Sequence, residues 1–172
     1  LFIGIDLPAF SGYKTCAMSF ERSLTAAQGY LELGMPVEAL AELDTLPSEV
    51  ANHAEILQLR LVILMQMRDW VRALEHCAAL RKHFPDRSVG YIHGAFCLHE
   101  LGRTSEAKTL LLSGPGSLLR EATYHYNLGC YEAVLGNHEE ALQYLKASFA
   151  MDQNFCTIAK RDPDLKGIAH LF

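Results

Sequence analysis

Along the chain, small and apolar positions return at one fixed interval. Alanines stand at Ala39, Ala73, Ala107 and Ala141, each 34 residues after the last. The residues four places further on are Leu43, Cys77, Leu111 and Leu145. Twelve places before each alanine come Ala27, Leu61, Ala95 and Gly129, and five places before come Gly34, Arg68, Gly102 and Gly136. Four columns sharing one period mark an internal repeat, the first feature to look for because it fixes the architecture.

Each column has a physical reading as one part of a helix–turn–helix unit. The early small residue lets a first helix approach its partner closely. The glycine ends that helix, because it enters the left-handed region without a Cβ penalty. The alanine lies where the second helix meets the first, and the apolar residue one turn later fills the seam. Arg68 breaks the glycine column, which predicts a looser turn there, with Asp69 as N-cap ahead of Trp70. The run Ser113-Gly114-Pro115-Gly116-Ser117 predicts a shortened second helix in the third unit.

These columns resemble the tetratricopeptide repeat, which has the same period. The resemblance spans residues 20–155, in frames 20–53, 54–87, 88–121 and 122–155, and NLGCYEAVLGNHEEALQYLKASF in the fourth matches best. The consensus tryptophan of the first helix is missing: Ser23, Leu57, Tyr91 and His125 take its place. The resemblance implies an all-α fold, a right-handed superhelical array of antiparallel helix pairs. Residues 1–19 then form an N-terminal segment, extended or loosely packed, and 156–172 a closing cap. The tail AKRDPDLKGIAHLF resembles the end of bacterial arrays of this family. Asp162 is placed to cap a short helix from Pro163, and Leu165, Ile168, Ala169 and Leu171 to cover the edge of the last unit.

In this family the first helices line a concave groove. Carried over by position, the lining in the first two units includes Leu24, Gln28, Gln58, Val62 and Met65. In the last two it includes Ile92, Phe96, His99, Tyr126, Asn127 and Cys130. Some family members clamp a C-terminal carboxylate with Lys, Arg and Asn at these places. Here Leu24, Gln28, Glu55 and Leu59 stand instead, which excludes that clamp. The lining suits an apolar peptide or helix, with Met65 adaptable and Phe96 and Tyr126 as anchors. Gln28, Gln58 and Asn127 are placed to pair with a ligand backbone.

Composition narrows the function further. Half of the 172 residues are hydrophobic and six are proline, which fits an ordered chain. The net charge of −5, with Lys and Arg scattered, argues against nucleic acid and against a basic membrane face. The glutamates Glu38, Glu42, Glu49, Glu139 and Glu140 read as a solvated face. Five cysteines without a C-x-x-C pair fit a reducing, cytoplasmic setting. The apolar run Leu57–Met67 is too short to span a bilayer and is interrupted by Arg60.

No catalytic residue, cofactor or metal is expected. No phosphate-binding glycine loop or G-x-S-x-G occurs. Cys97, His99 and Glu100 cluster along the chain without a partner of known position; neighbouring first helices leave open a Cys-His pair such as Cys97 with His125, against which Cys97 reads better as a small buried apolar residue. The reading is a non-enzymatic scaffold or adaptor for a protein partner. The alternatives are a secretion-type chaperone or the regulatory portion of a larger enzyme or sensor. Residues 1–17 precede the repeats without a start methionine. They read as an upstream addition, as the end of a larger segment, or as an apolar strand that fills the groove itself.

Overall fold

The computed structural model describes residues 17–172, with side chains from Phe20 onward. The proposal that the N-terminal segment fills the groove therefore lies outside the described residues. Those residues are α-helices and 3-10 turns joined by short connections, with no strand among them. They form two compact units, one up to Phe84 and one from Pro85 to Phe172.

In the first unit, α1 (Ala17–Glu32) packs on α2 (Pro36–Asp44), and α3 (Ala54–Gln66) packs on α4 (Trp70–His83). The core gathers Leu24, Ala27, Ala39, Leu43, Ile56, Leu59 and Ile63. Arg60 ties α3 to the end of α2: its Nη2 donates to the Leu43 carbonyl at 2.8 Å, and its Nη1 pairs with Asp44.

In the second unit, α5 (Val89–Glu100) pairs with α6 (Thr104–Leu112), and α7 (Ala122–Val134) with α8 (His138–Met151). The short α9 (Asn154–Ala159) follows, then 3-10 turns at Pro163–Leu165 and Ala169–Leu171. As the Gly-Pro-Gly run predicts, α6 stops at Leu112 and a 3-10 turn, Gly116–Arg120, replaces its continuation. A Cβ on Gly114 would stand 2.2 Å from Leu118 Cδ1, so only glycine lets Leu118 plug the gap at 1 % exposure.

Every alanine of the 34-residue column is fully buried, and so are Leu43, Cys77, Leu111 and Leu145. Gly129 shows why the early position is small: an added Cβ would sit 2.7 Å from Leu145 Cγ. The turn column is equally regular. Gly34, Gly102 and Gly136 have φ of 73°, 76° and 85°, and Arg68 follows at 56°. The looser turn expected at Arg68 does not form. Arg68 N–H donates to Met65 O at 3.0 Å and Asp69 N–H to Leu64 O at 2.9 Å. The turn at Gly102 makes the same two bonds, to His99 O at 2.8 Å and Leu98 O at 2.9 Å. Packing of α3 on α4 holds the backbone left-handed although arginine does not favour it. Asp69 is the cap the sequence predicts: its Oδ1 accepts from Arg72 N–H at 3.2 Å.

No helix among the described residues is long and apolar enough to cross a membrane.

Candidate interaction site

Helix periodicity decides which face of each first helix is left over after pairing. In the first unit that face carries Gln28 on α1, and Gln58 and Val62 on α3, all partly exposed. Gln58 Oε1 is buried without a hydrogen-bond partner among the described residues. Such an amide oxygen is costly to leave unmet. Two other residues read as lining are placed differently. Leu24 is 1 % exposed and belongs to the core seam between α1, α2 and α3, and Met65 is 4 % exposed. Their side chains are spent on internal packing.

The second unit departs further from the sequence expectation. Ile92 is 6 % exposed, Tyr126 3 %, Asn127 9 % and Cys130 5 %; Phe96 and His99 are partly exposed. The turn Pro163–Leu165 lies against α7 and supplies the groups these side chains meet. Tyr126 donates its hydroxyl to Asp162 Oδ2 at 2.7 Å, and the Cys130 thiol points to the same oxygen at 3.8 Å. Asp162 Oδ1 accepts from Asp164 N–H at 3.0 Å, the cap that the sequence predicts. His99 bridges two partners, Asp164 Oδ2 through Nε2 and Thr104 Oγ1 through Nδ1, each at 3.0 Å. Its ring lies 5.0 Å from that of Tyr131, and Tyr126 lies 4.9 Å from Phe155.

The electrostatics follow from burial. Asp162 is 8 % exposed, and a charged carboxylate there needs donors. Burial first, and then the negative groups beside them, push the Tyr126 phenol and the Cys130 thiol well above their usual ranges. Both therefore keep their protons at neutral pH and serve as donors to Asp162.

The chain's own closing turn thus covers the part of this face that His99, Tyr126 and Cys130 were read as offering to a ligand. Leu165 and Ile168 are buried with it, as the sequence predicts, but Leu171 is 49 % exposed. Asp164 and Thr104 were missed. The signal was the second aspartate of Asp-Pro-Asp-Leu, since one aspartate suffices to cap the turn. The Cys97–His125 pairing does not form as a hydrogen bond. His125 Nε2 donates to Leu119 O at 3.0 Å, and its ring lies between Tyr124 and Tyr144.

A further polar site was not legible. Glu132, 3 % exposed, accepts Lys108 Nζ at 2.7 Å on one oxygen and Asn137 Nδ2 at 2.8 Å on the other. It ties α6, α7 and the start of α8 together.

No protein-family model matches the chain, and no curated protein matches it. Solved structures do. MamA 41-end from Desulfovibrio magneticus RS-1 superposes with a TM-score of 0.70 at 19 % identity, over 88 % of this chain and 90 % of that one. MamA from MSR-1 gives 0.67 at 19 % identity, over 83 % and 82 %. MamA from AMB-1 gives 0.64 at 18 % identity, over 76 % of each. At this identity the likeness is one of fold, and the fold is the tetratricopeptide-type helical repeat, all-α and built of adjacent helix pairs.

Proposed function

We propose that the chain is a non-enzymatic scaffold of four tetratricopeptide units, framed 20–53, 54–87, 88–121 and 122–155 and closed by 156–172. It binds a protein partner through the faces of its first helices. The reading is supported by the fold and by one observation above all: the buried Gln58 Oε1, without a hydrogen-bond partner among the described residues, on the same helix α3 as the partly exposed Val62. Turned outward, the Gln58 amide would offer that oxygen to a backbone N–H of a bound segment, and an apolar side chain would pack on Val62. The receptor is therefore centred on Gln28, Gln58 and Val62. In the second unit, Phe96 remains the partly exposed aromatic anchor.

The test is affinity capture from native cells, comparing the wild-type chain with Gln58→Ala/Val62→Glu. Captured proteins are then mapped by peptide array against both forms. Loss of the same segments in the variant, at unchanged melting temperature, supports the proposal. Equal retention by both forms refutes it.

A further inference from the structure

The turn after Asp162 brings together ligating groups that are distant along the chain. The Cys130 thiol and the carboxylates of Asp162 and Asp164 each offer an atom, all within 4.8 Å of one another. Cys130 and Asp162 are buried and Asp164 is partly so. The His99 imidazole adjoins them, with Nε2 3.0 Å from Asp164 Oδ2.

Bond lengths of about 2.3 Å to sulfur and about 2.0 Å to oxygen place neighbouring ligand atoms of a small tetrahedral ion roughly 3.3–3.5 Å apart. Cys130 Sγ and Asp162 Oδ2 are 3.8 Å apart, a few tenths of an ångström over that spacing, and the ligand atoms of the three residues all lie within 4.8 Å of one another.

A second observation comes from Tyr131. It is 1 % exposed, and its hydroxyl has no hydrogen-bond partner among the described residues. Its ring lies against His99, and Cys130 and Asp164 are both within its electrostatic reach. Ligating carboxylates are themselves hydrogen-bonded from behind, and this unmet buried hydroxyl is a donor that a shift of Asp164 on binding would bring into use.

We propose that Cys130, Asp162 and Asp164 form a structural Zn2+ site, with water as fourth ligand and His99 holding Asp164 from behind, that clips the closing turn to α7. The donor set selects the ion. A thiolate favours zinc, whereas Mg2+ and Ca2+ take all-oxygen shells. On binding, zinc forms a bond to Cys130 sulfur and the thiol proton leaves to solvent. The two carboxylates and the water bind through lone pairs. Nothing is oxidised or reduced, and about one proton is released per ion.

The experiment titrates ZnCl2 into the full metal-free chain by calorimetry in two buffers of different ionisation heat. One ion per chain, about one proton released and a raised melting temperature are expected. Cobalt in place of zinc should give a thiolate-to-metal absorption band that Cys130→Ser abolishes and Cys156→Ser keeps. Asp164 is partly exposed, so Asp164→Asn keeps the fold, and it should weaken zinc at least tenfold. If the metal-free chain takes up no zinc, the contacts to Asp162 and Asp164 are hydrogen bonds alone and the site is wrong. Uptake unchanged in both Cys130→Ser and Asp164→Asn would overturn it equally.

Discussion

Arg68 occupies a backbone conformation that arginine disfavours, and Arg68→Gly should make the protein more stable. Its φ of +56° matches the three glycines that hold the equivalent turns. For an L-residue with a Cβ, that region costs roughly 1–2 kcal/mol. Glycine returns part of the gain, about 0.4–1 kcal/mol, through the greater freedom of its unfolded chain. The side chain of Arg68 is exposed, so little packing is lost. The two turn bonds, to Met65 O and Leu64 O, involve main-chain atoms and survive. The net stabilisation is about 0.5–1 kcal/mol, or roughly 1–4 °C in melting temperature for a chain of this size. Thermal unfolding followed by far-ultraviolet circular dichroism measures it. Two companions isolate the cause. Arg68→Ala should stay within about 0.5 kcal/mol of wild type. Gly136→Arg should lose the same net amount, about 0.5–1 kcal/mol, although a Cβ there meets nothing within 4 Å. A glycine variant that melts at or below wild type, with Gly136→Arg neutral, would refute backbone strain as the cause.

Three other outcomes follow from the packing. Lys108→Met should cost about 2 kcal/mol by denaturant titration, below the roughly 3–5 kcal/mol for a fully buried pair, because Lys108 is 31 % exposed. Adding Glu132→Leu to it should recover most of the loss. Gly129→Ala should cost roughly 1–3 kcal/mol, since the methyl group would push into Leu145; Gly29→Ala, with open space at its Cβ, is the control in the same helix-forming context. Burial lowers the pKa of His93 to about 4. The unfolded chain therefore takes up a proton near pH 6.5 that the folded chain refuses until about pH 4, and stability from this residue is full above pH 6.5. It should fall between those values by about 3 kcal/mol. His93→Gln should remove that part of the slope; an unchanged pH profile would dismiss it.

Much of the fold could be read from the columns because the same contact recurs. Ala39, Ala73, Ala107 and Ala141 meet the same constraint, so the pattern repeats in sequence. Arg68 shows the limit of reading a residue by preference: a penalty of roughly 1–2 kcal/mol is smaller than what a packed helix pair gains, and the turn keeps its shape. The site was less legible. A family position says which side of a helix a residue takes, but not what later arrives to cover it. Tyr126, Cys130 and His99 meet aspartates that lie 36, 32 and 65 residues further on. Leu24 was misplaced for a related reason, since α1 buries a wide face against both α2 and α3. Lys108 follows the alanine of its column where the other units carry leucine, and its task depends on Glu132 being buried on a different helix.

The closing turn also sets an order of events during synthesis. Helices α5 to α8 pair with near neighbours in the chain, and such contacts can form as soon as each helix is made. Yet Tyr126 and Cys130 find their partner only when Asp162 exists, and Leu165 and Ile168 complete the apolar cover only after that. A nascent chain that has reached Met151 therefore holds four helices of this unit with one face still open. In that interval the tyrosine and thiol are available to chaperones, to proteases or to another nascent chain. The cell would see, for the time it takes to add some seventeen residues, a surface that the finished protein hides.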